Sequence, residues 1–230
     1  MEQPLSDADQ ALLAKTVEVH RLLLGVYGEP EWRSHLDPIS ELVSTILSQN
    51  TNDVNRDVAF ERLRERVPTW EGVRDADEQV VIDAIRPAGL ANQKGPRIQQ
   101  ALRFISEERG ELALDFLADW PVADAKAWLS SIKGVGPKTA AIVLLFSLGR
   151  PAFPVDTHVH RVTKRLGLIG PRVSREKAHV ELERLVDPDA YYAFHLNLIY
   201  HGRQVCTSRI ARCESCVLVD LCDYYQEQPQ

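Results

Sequence analysis

The chain has 230 residues, 44% of them hydrophobic and 26% charged, which is typical of one globular domain or two modest ones. This composition excludes a disordered, collagen-like or long coiled-coil protein. The longest unbroken apolar run, residues 140–146, is far shorter than the roughly 20 residues of a membrane-spanning helix. The first ten residues, MEQPLSDADQ, lack the basic and apolar regions of a signal peptide, so we expect a cytoplasmic protein with no membrane association.

The predicted elements in chain order are almost all helices. The first follows a capping-box pattern, Ser6 with Asp9, and ends near Gly28; the second follows Asp37-Pro38, a cap with proline at the first helical position. Apolar residues at helical spacing predict further helices over about 53–66, 77–85, 93–108, 122–132, 137–148, 157–166, 174–186 and 189–200. No segment alternates as a strand does, so the sequence predicts an all-α fold.

The charge is distributed unevenly along the chain. The formal net charge is -6, which by itself argues against a nucleic-acid ligand. Residues 131–177 nevertheless carry nine Lys or Arg and two acids, a local charge of +7, which leaves -13 for the rest of the chain. The pattern predicts a basic surface on an acidic body, with an ordinary solvated surface as the alternative.

Residues 129–143, LSSIKGVGPKTAAIV, predict two helices joined by a glycine-containing hairpin. Glycines allow backbone conformations closed to other residues, and the second helix begins with proline at its first position. A helix start offers unpaired amides to an anion, so we expect the hairpin to bind the backbone of a nucleic acid, although most such glycine pairs are only turns. The predicted contacts are Lys133, Gly134, Val135 and Gly136.

All four cysteines lie near the end of the sequence, at Cys206, Cys213, Cys216 and Cys222. Four thiols so close together in a chain without a secretion signal indicate a metal site rather than disulfides. Zinc sites usually present two close pairs separated by a longer loop, whereas this spacing is one continuous wrap. The spacing favours a 4Fe-4S cluster over zinc, and unligated cysteines are a third alternative.

These motifs together resemble the helix-hairpin-helix DNA glycosylases of base excision repair, of the endonuclease III type. The resemblance rests on the hairpin, on VDTH at 155–158, on HGR at 201–203 followed by the cysteine loop, and on ILSQNTNDVN at 46–55. It implies double-stranded DNA with a damaged base or an abasic site as the partner, a monomer, and association with the nucleoid in a bacterial cell.

The resemblance implies that Lys138 and Asp156 form the catalytic pair. An amine that attacks C1′ of the damaged nucleoside expels the base and forms a Schiff base, after which the 3′ phosphate leaves by β-elimination. The amine must be neutral, and a basic, partly buried position would lower its pKa from about 10.4. Asp156 would stabilise positive charge on the sugar; the alternatives are a phosphate-binding Lys138 and an Asp156 that only caps a helix.

Further DNA contacts are implied by position. In the endonuclease III pattern a polar side chain and an apolar one fill the hole left by the flipped nucleotide, and these fall on Asn50 and Leu90. The family commonly has LSAQATD where this chain has LSQNTND, so Gln49 is an alternative to Asn50. His158 could contact phosphate or orient Asp156, and Arg161 lies on the same basic helix start.

We therefore predict two helical domains: residues 31–150 as a six-helix barrel carrying the hairpin, and residues 1–30 with 151–230 as an iron-sulfur cluster domain, with DNA in the cleft between them. The predicted function is a bifunctional DNA glycosylase and abasic-site lyase that removes a damaged base, by family default an oxidised pyrimidine. The alternatives are a non-catalytic DNA-binding or damage-sensing module, an electron-transfer iron-sulfur protein, and a glycosylase with another base preference.

Overall fold

The computed structural model describes residues 6–227, and within them the predicted all-α fold is confirmed. The described residues contain no β-strand, only an antiparallel bridge between Cys206 and Ala211. The α-helices are α1 Asp7–Tyr27, α2 Pro38–Ser48, α3 Asp53–Arg66, α4 Trp70–Asp75, α5 Glu78–Ala84, α6 Ala91–Arg109, α7 Val122–Ser131, α8 Pro137–Ile142, α9 Thr157–Arg165, α10 Arg175–Leu185, α11 Tyr191–Gln204 and α12 Asp223–Gln226.

The two predicted helix starts are confirmed atom by atom. Ser6 and Asp9 form a reciprocal capping box at the start of α1, with the Asp9 amide donating to Ser6 Oγ at 3.2 Å. At the start of α2 the Ser40 amide donates to Asp37 Oδ1 at 3.0 Å, with Pro38 at the first helical position. Each cap satisfies an amide that has no acceptor within its helix.

The chain divides into two compact units. One is Arg33–Arg150; the other combines the described residues of Met1–Trp32 with those of Pro151–Gln230. In the described part of the chain no helix has the length and apolar character needed to cross a membrane.

The unit Arg33–Arg150 is built around α2. All residues of α2 from Pro38 to Leu47 are buried, and α3, α6 and α8 pack against it. A helix that is apolar on most sides has to occupy the centre of its unit. Its few polar groups are satisfied locally, as where Trp70 Nε1 donates to Ser40 Oγ at 3.1 Å.

The second unit packs α9 against α11, and α1 against both α10 and α11. Val159 and Val162 of α9 are buried in this core, and the Lys15 ammonium of α1 lies 2.6 Å from the Asp223 carboxylate of α12. The arrangement places the start of α9 and the cysteine segment in the same unit.

The structure differs from the sequence-based helix assignment in several places. The short helices α4 and α12 were not predicted. The helix predicted over 137–148 is interrupted, because α8 passes after Ile142 into a π-helical turn, Val143–Ser147. Such turns widen a helix locally and frequently lie at functional sites.

Candidate DNA-binding and catalytic residues

The hairpin between α7 and α8 depends on one of its two glycines. Gly134 has φ +88°, and a Cβ built on it would lie 2.4 Å from Arg97 Cδ. Gly136 has an ordinary φ of -98° and serves as the N-cap of α8, with open space around it. Val135 is buried and anchors the turn, whereas Lys133 is exposed beside it. The expectation of an unusual backbone therefore applies to Gly134 alone.

Lys138 is the second residue of α8, directly after the hairpin, and its side chain is half-buried. The following residues Thr139, Ala140 and Ala141 are buried, so α8 is held firmly in its unit. A lysine on a rigid element, one helical residue past a hairpin, has a fixed position relative to anything the hairpin binds.

The structure distinguishes Gln49 from Asn50. The Gln49 side chain accepts from Arg97 Nη1 at 2.7 Å and donates to the Gly134 carbonyl at 3.4 Å, so it connects the end of α2 to the hairpin. Asn50 is exposed and has φ +53°. Leu90 is 49% exposed and has φ +49°, a conformation that is a genuine outlier for a bulky residue.

Asn50 and Leu90 are the two non-glycine residues with positive φ in the described part of the chain. Strained backbone of this kind clusters at functional sites. We call Asn50 and Leu90 the two tips.

Asp156 is the N-cap of α9. Its Oδ1 accepts from the Val159 amide at 2.7 Å, so the capping role considered from the sequence is present. His158 is half-buried, and burial lowers its pKa. Its neutral Nδ1 accepts from Arg161 Nη2 at 3.1 Å.

Arg161 was predicted to bind DNA, and its guanidinium points into its own unit. Nε donates to the Cys206 carbonyl at 3.0 Å, and Nη2 donates to the Gly202 carbonyl at 2.8 Å. Arg161 therefore ties α9 to the end of α11 and to the first cysteine. A DNA contact by this residue stays a prediction.

The four cysteines line one cavity together with Arg165 and His201. Arg165 Nη1 donates to the Cys206 sulfur at 3.2 Å and to the Thr207 carbonyl at 2.8 Å. His201 is 2% exposed, and its Nε2 lies 3.5 Å from the Cys216 sulfur. His201 and Arg165 therefore each contact one cysteine sulfur, and the sequence did not reveal the Arg165 contact.

Burial in this cavity disfavours the thiolate forms of Cys216 and Cys222. Burial, and then the neighbouring cysteines, raise the pKa of Cys216 to about 11, and burial raises that of Cys222. A metal ligand must be a thiolate, whose charge a bound metal offsets. Four thiols around one cavity form a donor set suited to iron or zinc, although no group of His, Cys, Asp or Glu in residues 6–227 has an arrangement that could hold a metal ion as it stands.

The two helices α7 and α8, joined by the glycine hairpin within an all-α unit, form a helix-hairpin-helix arrangement. Residues 43–188 match the family model described as "HhH-GPD superfamily base excision DNA repair protein", and the chain belongs to this family.

Individual relatives support the same assignment. Endonuclease III of Sulfolobus acidocaldarius is 36% identical over 80% of this chain and 81% of its own, and that of Thermotoga maritima is 33% identical over 86% and 89%. Among solved structures, a trapped endonuclease III–DNA covalent intermediate superposes with a TM-score of 0.78 and 26% identity, covering 97% of this chain and 98% of the other. The chain is therefore a DNA glycosylase of base excision repair.

Proposed function

We propose that this glycosylase is bifunctional: it removes a damaged base through a lysine Schiff base and then cleaves the strand by β-elimination. The observation that carries the proposal is the position of Lys138, half-buried in the first turn of α8 and directly after the hairpin. The covalent intermediate trapped for an endonuclease III supports it, since that protein is similar in structure over nearly the whole chain.

Lys138 Nζ is the proposed nucleophile. Its lone pair attacks C1′ of the damaged nucleotide, and the base leaves with the electron pair of the C1′–N bond and takes up a proton. The attached amine loses a proton, and its lone pair then opens the C1′–O4′ bond, with O4′ taking up a proton. The protonated Schiff base formed in this way makes the C2′ hydrogen acidic. Loss of that proton and cleavage of the C3′–O bond release the 3′ phosphate, and hydrolysis of the imine returns the amine.

Asp156 is the proposed electrostatic partner of that step. Its carboxylate stabilises the positive charge that develops on the sugar as the base departs, and it does so while capping α9. The cap fixes the carboxylate at the start of a helix, so no reorganisation is needed when charge appears. The two roles are compatible because the capping hydrogen bond uses Oδ1.

The two tips are proposed to enter the duplex and fill the space left by the flipped nucleotide. Asn50 supplies a polar group and Leu90 an apolar one, and both are exposed. Gln49 is assigned a different task, since its side chain already bonds Arg97 and Gly134. Extruding a nucleotide costs a few kcal/mol, which such contacts offset in part.

Oxidised pyrimidines are the proposed substrate class. The test is a glycosylase panel of duplexes containing thymine glycol, dihydrouracil, uracil, an alkylated purine or an abasic site. Release of oxidised pyrimidines at least tenfold faster than of the other bases supports the assignment. Faster release of uracil or of an alkylated purine assigns the site to that class instead.

Cys206, Cys213, Cys216 and Cys222 are proposed to hold a 4Fe-4S cluster. When bound, the cluster supplies four bonds that cross-link the C-terminal loop, and no chemistry on DNA is assigned to it. Arg165 Nη1 donates to the Cys206 sulfur and to the carbonyl of the adjacent residue, Thr207. Anaerobically purified protein should be brown with about four irons per chain; a colourless protein with one zinc overturns this proposal.

Borohydride trapping on a duplex with an abasic site tests the nucleophile. Wild-type protein should form a covalent adduct, and Lys138→Ala should form none. Lys133→Ala is the matched control, since Lys133 is exposed five residues earlier in the hairpin and should weaken binding without preventing the adduct. A folded, DNA-binding wild type that forms no adduct would refute the proposed Schiff-base lyase step.

A further inference from the structure

Lys94 is the most deeply buried lysine of the unit Arg33–Arg150, with 1% of its surface exposed. Its ammonium donates to three oxygens: the Leu47 carbonyl at 2.7 Å, Thr51 Oγ1 at 2.8 Å and the Ala88 carbonyl at 2.8 Å. No carboxylate of the described residues contacts it. Burial, and then the nearby charge of Arg97, lower the pKa of Lys94 to about 8, so the group is mostly protonated at neutral pH and can make all three bonds.

The three acceptors flank the two tips. Leu47 lies in the last turn of α2, three residues before the first tip, and Thr51 follows that tip directly. Ala88 ends the 3₁₀ turn Arg86–Ala88, and Gly89 alone separates it from the second tip. Thr51 Oγ1 also donates to the Ala88 carbonyl, so the two segments are joined directly as well as through the lysine.

We propose that Lys94 is a positioning residue that fixes the two tips, Asn50 and Leu90, relative to each other before DNA is bound. This inference rests on the proposed function, because it assumes that both tips enter the duplex. The ammonium compensates carbonyls that have no partner within their own helical segments. Since the two segments are already joined, inserting the tips into DNA does not require the conformational entropy cost of ordering them. The space vacated by the nucleotide is filled by two side chains whose relative position is already fixed.

The alternative is that Lys94 only stabilises the fold. Gln99 offers a matched control on the same helix, α6. It is also 1% exposed, and its Nε2 donates to the Val73 carbonyl at 3.0 Å and to the Ala76 carbonyl at 2.8 Å, far in sequence from either tip. Gln99→Met and Lys94→Met therefore each remove a buried donor with carbonyl partners, and only the second releases the tips.

The primary experiment reports insertion rather than turnover. A duplex carries a stable tetrahydrofuran abasic analogue with 2-aminopurine opposite it, and the fluorescence change at saturating protein measures unstacking by the tips. We expect Lys94→Met to reduce this change by at least threefold, Gln99→Met to match wild type, and Lys94→Arg to recover part of the signal.

The second readout is catalytic. Lys94→Met should slow cleavage of a duplex with an abasic site by about tenfold in kcat, since small misplacements are costly. It should leave cleavage of a single-stranded abasic oligonucleotide within about twofold of wild type, because a single strand offers no stacked hole to fill. If Lys94→Met does not fold, Thr51→Val removes one acceptor and one direct bond and takes its place.

The outcomes separate the inference from the proposed function. Wild-type fluorescence and duplex cleavage in Lys94→Met, or equal losses in Gln99→Met, overturn the positioning role. A wild type that cleaves neither substrate overturns the proposed lyase, and the fluorescence assay, which needs no cleavage, still tests Lys94.

Discussion

Asp156 combines a structural and a proposed chemical role, and two substitutions separate them. Asp156→Ala removes the hydrogen bond from the Val159 amide to Oδ1, 2.7 Å in the structure. Loss of an N-cap costs about 1 kcal/mol, which in a chain of this size lowers Tm by roughly 2–4 °C. Asp156→Asn keeps an oxygen acceptor on a side chain of the same length. We therefore expect its free energy of unfolding to lie within about 0.5 kcal/mol of wild type.

Catalysis should respond differently from stability. Both variants lack the negative charge, and the loss of one preorganised electrostatic contact at a developing charge costs about 10²–10³ in rate. Single-turnover base release and strand cleavage on a damaged duplex, with thermal unfolding in parallel, measure the two effects. An Asp156→Asn protein that releases the base within threefold of wild type would show that Asp156 is only a cap.

The remaining predictions concern the hairpin, the basic segment and α2. Gly134→Ala should lower stability by about 1–3 kcal/mol and weaken DNA binding, because its φ is +88° and a Cβ there would clash with the Arg97 side chain. Gly136→Ala, at φ -98° in open space, should lose less stability, and the reverse order in thermal unfolding would contradict the hairpin geometry. DNA affinity should fall steeply with salt, and Lys133→Ala should reduce the slope of log K against log salt by about 1; a binding titration insensitive to salt would refute the basic surface. Glu41 is buried, and burial raises the pKa of its carboxyl group. The folded protein therefore binds a proton at Glu41 more tightly than the unfolded protein does, and ionisation of Glu41 lowers the free energy of unfolding at higher pH. Glu41→Gln should therefore stabilise the protein at pH 7, and urea unfolding should show this advantage shrinking as the pH falls towards 4.5.

The helical fold was predictable because most helices carry their own signals. The Ser6 box and the Asp37-Pro38 cap are local patterns, and the structure reproduces both. The short helix Trp70–Asp75 carries no comparable periodicity over its six residues and was missed. Short helices depend on packing against the rest of the unit, which a local pattern does not report.

The site was predictable where it rests on a motif and unpredictable where it rests on contacts distant in sequence. The hairpin and the cysteine loop can be recognised from short stretches of consecutive sequence. By contrast, the division of labour between Gln49 and Asn50 depends on Arg97, which lies 48 residues from Gln49 in the chain. Lys94 reads as one more surface lysine of α6 until its three acceptors are located.

The left-handed backbone at Asn50 and Leu90 has a consequence for engineering this protein. Glycine adopts such backbone angles without strain, whereas in leucine they cost of order 1 kcal/mol or more of folding stability. A thermostability screen that scores folding alone would therefore favour glycine at position 90. The selected protein would be more stable but would lack the apolar side chain that is proposed to enter the duplex. Under the proposed function, leucine at position 90 lowers stability in return for the contact that its side chain makes in the duplex.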